Sequence, residues 1–488
     1  MQTMYAQAIA RTASKTSLLK LNEQIKAISP SLDVRDLFQV LRKQYVEKEL
    51  NSEGLKARLK AMQVEMPELR TEAQPFEPQL RELAERERLD WGDMYFHMLC
   101  RITTLEELLT FFPQLQGKRE ELKNVLARYS MSIMPLNYAL PFEVAAQYIP
   151  EIDYFSNHLA SNPDPYGLFT PESKILDKET GMVLASQKFP HSLLMNVFAA
   201  CPIGCVGCYK SYYTREYNHE LGLTLGTIIA QTQKLVEYMN EHPQVYDVII
   251  SGGEPLLLDD ERIAKMLELF ENAKHLRVLR ICTGTIFLGL PFRISEKLLE
   301  TIKAFARKTG VRFTFQAHLA NHFQISPEAM IAVHKIRKAG FTIYSQIPIQ
   351  EGVNFFRNDW PKTLEYWNEL GKRQMQAGIE PYKYIVDMKP RTIKKYVPIE
   401  PLLCMWSQIA DSHQWPELQR PKTLSILGPD GNIILSDSDL LSMRKKVNTE
   451  NQTVEYWIPT TFTFQNGKLE INQFQHHLEP LIEGYNDD

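Results

Sequence analysis

The sequence predicts an α/β protein: a partial (β/α)6 barrel with a helical N-terminal region before it and a small β-rich C-terminal segment after it. Three observations carry this. Six strand-like apolar runs recur in the middle of the chain with amphipathic stretches between most of them; ahead of them apolar residues repeat at helical spacing; behind them short runs are paired across Gly-rich turns.

In chain order, the helical rhythm runs from Leu18 to about Lys123, through Leu37, Leu41, Tyr45 and again Leu55, Leu59, Met62, with charges on the other faces. Gln74-Pro75-Phe76-Glu77-Pro78 interrupts it, so a helical extension over 1–85 is expected to lead into a helical and irregular region over 86–185. Pro, Asn and Asp crowd the chain between Pro150 and His191, which predicts an irregular wrap around the main domain. The barrel is expected over 186–400, with strands at 193–198, 245–251, 276–282, 311–316, 342–347 and 382–387. Its helices are expected at 224–242, 260–274, 295–308, 327–338 and 360–377. In the β-rich segment over 401–488, Gly428-Pro429-Asp430-Gly431 and Gln465-Asn466-Gly467 mark two hairpins.

Composition excludes several classes. With 488 residues, 44% hydrophobic and 23% charged, the chain can bury a large core. A net charge of -4 gives no basic footprint, so no nucleic-acid partner is expected. No apolar run reaches spanning length, so no membrane partner is expected either. The first twenty residues hold Arg11, Lys15 and Lys20 and no acid, the composition of a transit peptide or of an amphipathic helix that opens the fold; the helix is the preferred reading. Six cysteines in a chain this long do not make a disulfide framework, and a reducing, cytoplasmic setting is expected.

Three of those cysteines, Cys201, Cys205 and Cys208, lie in the run Cys-Pro-Ile-Gly-Cys-Val-Gly-Cys, directly after the first barrel strand. Three thiolates on one tight loop can hold three irons of a [4Fe-4S] cluster and leave the fourth open to a chelating ligand. Ser251-Gly252-Gly253-Glu254-Pro255 follows the second strand. Ligands of parallel α/β sheets gather at the carboxyl ends of the strands, so both motifs fall on one rim. Bare backbone at Gly252 and Gly253 lets S-adenosylmethionine (SAM) approach, and Glu254 is placed to accept from its ammonium. The pair reads as a radical SAM site, where a reduced cluster splits SAM to a 5′-deoxyadenosyl radical that takes hydrogen from an unactivated carbon. The competing reading is a zinc loop, which needs four ligands; His219 is the nearest fourth candidate and there is no second Cys pair.

The wider sequence resembles the lysine 2,3-aminomutase-like family of radical SAM enzymes. The likeness runs from about Leu89 to Asp387 through Trp91, Arg101 to Glu106, Asp164-Pro165-Tyr166-Gly167, Phe189-Pro190, Ser251 to Leu256, Leu290-Pro291, Arg293-Ile294, Gln346 and Gly352-Val353-Asn354. It implies a radical SAM type barrel, an amino-acid-like small-molecule substrate, an external one-electron reductant and isomerase chemistry, a 1,2-amino shift. It implies that Gln346 and His318 lie near SAM, with Asn321 and His322 in the same loop, that Lys210 faces a substrate carboxylate and that Asp387 holds a substrate amine. Homo-oligomerisation is left open.

The departures from that family bear on the reaction. Its pyridoxal phosphate is held by a lysine in a glycine-rich loop after the barrel, and the stretch between Asp387 and Leu427 has no such loop; Lys389, Lys394, Lys395 and Lys422 stand in other surroundings. Lys188, His191 and Lys210 replace arginines, losing the bidentate fork. Gly207 stands where an aromatic residue is usual, with Tyr209 beside it. The alternatives are therefore a pyridoxal-phosphate-independent radical SAM enzyme performing another rearrangement, epimerisation or dehydrogenation, and a non-catalytic cluster or zinc scaffold.

Overall fold

A computed structural model describes residues 18–51, 54–62, 76–127, 131–149, 174–197, 201–205, 208, 228–387, 397–411, 424–428, 431–435, 443–451, 453–458, 463–465, 468–470 and 475–480. The helical N-terminal region comprises α1 (Leu18–Ile28), α2 (Val34–Leu50), α3 (Leu55–Ala61), α4 (Glu77–Arg86), α5 (Met94–Leu99), α6 (Leu105–Phe111), α7 (Arg119–Leu126), α8 (Pro135–Tyr138) and α9 (Phe142–Ala146). Local chemistry sets their starts. Asp33 and Asp36 close a reciprocal capping box on α2, and Thr104 and Glu107 close another on α6. Their apolar stripes meet in one core around Phe38, Trp91, Phe96 and Tyr138, which runs from Leu18 to Ile149. The boundary expected at 85/86 falls within α4, because helices on both sides of it share that core.

The central sheet has ten strands in sequential order. β1 (Lys174–Leu176), β2 (Val183–Phe189) and β3 (Ser192–Asn196) are antiparallel neighbours; β3 then pairs in parallel with β4 (Asp247–Ser251), and the parallel run continues through β5 (Val278–Thr283), β6 (Arg312–His318), β7 (Thr342–Pro348), β8 (Glu380–Asp387) and β9 (Leu424–Gly428). β10 (Gly431–Leu435) closes the order as the antiparallel partner of β9. The crossovers carry α10 (Ile228–Glu241), α11 (Asp260–Phe270), α12 (Glu296–Thr309), α13 (Pro327–Lys338), α14 (Trp360–Ala377) and α15 (Ile399–Asp411). Five of these helices were legible in the sequence at nearly the observed bounds, and four of them open on capping residues: Asp259, Ser295, Ser326 and Asp359 accept from the first turns of α11 to α14.

Two expectations change. The wrap expected up to His191 contains β1 and β2: Val183 to Phe189 is a strand-forming run, and Asp177 accepts from Thr180 to turn the hairpin that precedes it. The first expected C-terminal hairpin, β9 and β10, belongs to the barrel sheet, and the boundary expected at 400/401 lies inside α15. A turn signal marks a hairpin without saying which sheet it joins. The remaining strands form two small antiparallel sheets, β11 (Arg444–Asn448), β12 (Thr453–Ile458) and β15 (Gln475–Pro480) in one, β13 (Thr463–Gln465) and β14 (Lys468–Glu470) in the other.

The sheet curls. In a flat sheet β5 and β8 would lie about 14 Å apart at three strand spacings, yet Arg280 Nη1 on β5 donates to the Tyr382 hydroxyl on β8 at 3.4 Å. The helical region docks on this barrel through a closed polar cluster. Arg42 of α2 donates to both carboxylate oxygens of Glu328 on α13, at 2.6 and 3.1 Å, and Trp91 Nε1 adds a third bond at 3.1 Å.

Candidate active site at the carboxyl rim of the barrel

The three cysteines follow β3 on a loop that the helical region holds against the rim. Val197 N donates to Ser251 O at 2.9 Å, extending the β3–β4 pairing toward the loop. Ser132 then clasps it from outside: Gly204 N donates to Ser132 O at 3.1 Å, and the Ser132 hydroxyl donates to Pro202 O. The strand-like bridge between Ile102 and Ile133 braces Ser132 in turn. Gly204 is required here, because a Cβ would lie 2.6 Å from both the N and the O of Ser132. Ile203 is buried in the helical core, while Cys201, Cys205 and Cys208 on the same loop are half-buried. Cys201 Sγ donates to Ile203 O at 3.3 Å, and Cys208 N to Cys205 O at 3.4 Å. None of the six cysteines forms a disulfide.

Among the described residues no three His, Cys, Asp or Glu side chains converge on a point that a single ion could fill. A cluster loop does not require that, since each thiolate takes its own iron. Three half-buried thiols on one anchored turn are the donor chemistry that three corners of a four-iron cluster take.

At the second motif, Gly252 has φ +132°, a backbone conformation that only glycine adopts without strain. Glu254 is placed differently from expectation. Its side chain is buried, and both oxygens are engaged within the chain: Leu256 N at 3.0 Å and Thr283 Oγ1 at 2.8 Å on Oε1, Gly284 N at 2.7 Å on Oε2. It ties the β4 rim to the end of β5. Burial pushes its carboxyl up to about 7, these donors and the Thr285 backbone opposing that shift.

Register brings the other expected residues together. His318, the last residue of β6, pairs with Gln346 of β7, which pairs with Lys383 of β8. All three are half-buried, and none of their side chains has a hydrogen-bond partner among the described residues. Burial lowers the His318 imidazole to about 4, so it is neutral at physiological pH. The rest of its loop goes elsewhere: Asn321 Nδ2 donates to Val353 O at 2.9 Å as a loop brace, and His322 meets Phe323 at a tilt and Tyr366 of α14 edge-on, at a groove of ≈ 980 Å³. Asp387 ends β8 opposite Leu427. Lys210, with Gly207 and Tyr209, lies outside the described residues, as do Asp164 to Gly167 and the lysines Lys389, Lys394, Lys395 and Lys422.

Sequence reading missed the polar lining below this rim. On β5, Leu279, Ile281 and Thr283 are buried while Arg280 and Cys282 alternate with them on the other face. Cys282 Sγ donates to Gln316 Oε1 at 3.0 Å, and Arg280 is bound by Asp247 and Ser192 at the start of β4 and β3. The signal was present as a charged residue and a cysteine two apart in an otherwise apolar strand.

Residues 193–319 match the family of 4Fe-4S single cluster domains. Among the curated relatives, a protein of Aquifex aeolicus that carries the provisional name L-lysine 2,3-aminomutase is 28% identical over 44% of this chain and 54% of its own length. The L-lysine 2,3-aminomutase of Clostridium subterminale is 22% identical over 60% of this chain and 65% of its own length. An uncharacterised KamA family protein of Methanocaldococcus jannaschii is 25% identical over 33% of this chain and 25% of its own length. The chain thus spans between a quarter and two thirds of these relatives. With a cluster domain laid over β3 to β6 and this set of relatives, the chain is similar to the lysine 2,3-aminomutase and KamA proteins.

Proposed function

We propose that the protein is a radical SAM enzyme that abstracts hydrogen from an amino-acid-like substrate, with a 1,2-amino shift as the reaction its relatives' names favour. The observation that carries this reading is the convergence on one rim of an anchored three-cysteine loop, a positive-φ glycine after the next strand, and a row of unpartnered polar side chains on β6 to β8. When bound, a reduced [4Fe-4S] cluster supplies the electron that splits the carbon–sulfur bond of SAM. Cys201, Cys205 and Cys208 would hold that cluster. Gly252 and Gly253 would give SAM backbone to lie against. Glu254 would act behind them, keeping the β4 and β5 rims in register rather than meeting the ammonium with a spare oxygen. His318, neutral, and Gln346 would offer hydrogen bonds without adding charge, and the barrel wall would keep water from the reacting carbon. Asp387 is our proposal for the substrate's amine; Lys210, which the family resemblance offers for its carboxylate, lies outside the described residues. An external one-electron reductant and a cytoplasmic setting belong to the same reading.

A second reading keeps the radical step and drops pyridoxal phosphate, giving another rearrangement, epimerisation or dehydrogenation. The absence of a glycine-rich lysine loop between Asp387 and Leu427 favours it. Anaerobic reconstitution with iron and sulfide tests both. Four irons per chain and 5′-deoxyadenosine from SAM are expected, with both lost in Cys205→Ala. Zinc without sulfide, or unchanged iron content in Cys205→Ala, would refute the cluster assignment. Borohydride reduction in the presence of pyridoxal phosphate then separates the two readings, because a labelled lysine between Lys389 and Lys422 is expected only of the first.

A further inference from the structure

The β7–β8 pairing carries a bulge: Ser345 faces Pro381, the next residue Gln346 faces Lys383, and Tyr382 is the extra residue between them. A bulge re-aims side chains and lets consecutive residues leave a strand on the same side. Both do so here. Tyr382 meets Arg280 from β5 across the curled sheet, and Lys383 feels the charges of Arg280 and Cys282, also on β5. Tyr384 turns the other way, against Trp367 and Trp406.

The two interior cations differ in one respect. Arg280 is satisfied: its Nε meets Asp247 Oδ1 at 2.9 Å, and a second nitrogen meets the other carboxylate oxygen of Asp247 and, at 3.2 Å, Ser192 Oγ. Lys383 has no ion pair and no hydrogen bond among the described residues, and no carboxylate is among the groups that act on it. Lys383 is half-buried, and a lysine drawn into protein commonly gains a carboxylate partner. This one lies half-buried beside another cation, and burial together with Arg280 lowers its amine to about 8. Its neighbours in register, Gln346 and then His318, are neutral and also lack hydrogen-bond partners among the described residues. A compact cation among neutral donors suits one carboxylate; a phosphate asks for more charge than a single lysine brings.

We propose that Lys383 is the residue that recognises the substrate's carboxylate, held inside the barrel beside Gln346. The proposal rests on the radical SAM reading for the identity of the site, and it assigns the carboxylate to the barrel wall instead of the loop lysine Lys210.

The test uses the full-length, anaerobically reconstituted protein with SAM. A brief acetic anhydride pulse at pH 8, with mass spectrometry of the peptide containing Lys383, reads the amine directly while single α-amino acids, their carboxamides or inorganic phosphate are added. At least one amino acid is expected to slow acetylation of Lys383 on the order of tenfold, with its carboxamide without effect. Calorimetry with that amino acid should show a loss on the order of tenfold or more in Lys383→Met and a smaller loss in Lys383→Arg, which keeps the charge. Protection by acid and amide alike, protection by phosphate alone, protection by no amino acid, or undiminished binding to Lys383→Met would each overturn the proposal. Trapping of pyridoxal phosphate on Lys383 by borohydride would overturn it too. Formation of 5′-deoxyadenosine is followed separately: SAM cleavage without protection refutes the role of Lys383 alone, and protection without cleavage refutes the enzymatic reading alone.

Discussion

Two polar clusters lie inside this molecule, and they are finished differently. Arg42, Glu328 and Trp91 join the helical region to α13 with side chains at 0% exposure for the ion pair and charge-assisted bonds on both carboxylate oxygens. On the barrel wall, His318, Gln346 and Lys383 are only half-buried and have no partners among the described residues. The closed cluster satisfies both carboxylate oxygens, leaving Arg42 Nη1 without a hydrogen-bond partner, and it specifies how two layers dock. An open one leaves half-buried polar groups available to something that binds. The contrast separates polar residues that hold the fold, fully buried and paired, from those available for chemistry, half-buried and without partners among the described residues.

The largest effect should come from breaking the closed cluster. Arg42→Met strands Glu328 as a buried carboxylate, and a stability loss of about 3–5 kcal/mol is expected in denaturant unfolding. Adding Glu328→Gln to Arg42→Met removes the orphaned charge while keeping an acceptor for Trp91, so much of the loss should return. If the double variant is as unstable as Arg42→Met, the cluster acts through packing and the contrast with the barrel wall weakens.

Acid should strike the same docking layer next. His97 is fully buried; its Nε2 lies 2.8 Å from Trp91 O, its ring stacks on Phe292 at 4.2 Å, and burial lowers it from 6.5 to about 4. A depressed folded value means the unfolded chain takes the proton first. Stability from this group is therefore full above pH 6.5 and lost as pH falls toward 4, on the order of 3 kcal/mol in all. Glu328, which burial pushes up and Arg42 pulls further down, adds loss below its ordinary value of 4.5. Unfolding at pH 7, 5.5 and 4.5 measures this, and His97→Phe should flatten the upper part of the slope. An unchanged slope would show that His97 is protonated in the folded protein.

These two sets of residues also mark what sequence could and could not convey. Strands β3 to β8 and helices α11 to α14 were legible because alternation, helical spacing and capping residues are local signals, and Pro327 and Trp360 begin their helices where expected. The cysteine and glycine motifs were legible because the chemistry demands particular residues at short spacing. The enclosure of Glu254 was not, since its donors Thr283 and Gly284 arrive from the next strand. The docking pair is separated by 286 positions, and no periodicity links Arg42 to Glu328. Lys383 was hidden for a third reason: without the bulge at Tyr382, simple alternation along β8 would send Tyr382 and Lys383 to opposite faces.

A smaller and more local effect should follow at the cluster loop. In Gly204→Ala the new methyl meets Ser132 backbone, which cannot swing aside as a side chain would, so the loop must lift from its clasp at a cost of about 1–3 kcal/mol. Because the clasp lies at the edge of both cores, iron bound per chain after reconstitution should fall more clearly than the unfolding midpoint. Full iron occupancy in Gly204→Ala would mean that the helical region is not what positions the cysteines. Ser132→Ala, which loses only the bond to Pro202 O, should show the same pattern more weakly.

The smallest change tests which side of the comparison Glu254 belongs to. Thr283→Val removes one of its donors and also the acceptor for Thr285 N, at about 1–2 kcal/mol. The sign with pH follows from the raised carboxyl. Its folded value near 7 exceeds the ordinary 4.5, so its contribution is fully present below 4.5 and lost as pH rises through 7, and the bond to Thr283 limits that loss by favouring the ionised form. Thr283→Val should therefore destabilise more at pH 8.5 than at pH 5.5, while Thr283→Ser keeps the hydroxyl and should match the parent at both. If the cost is equal at the two values, Glu254 is ionised throughout the range, as expected of a carboxylate that meets a bound cation and not of one closed within the rim.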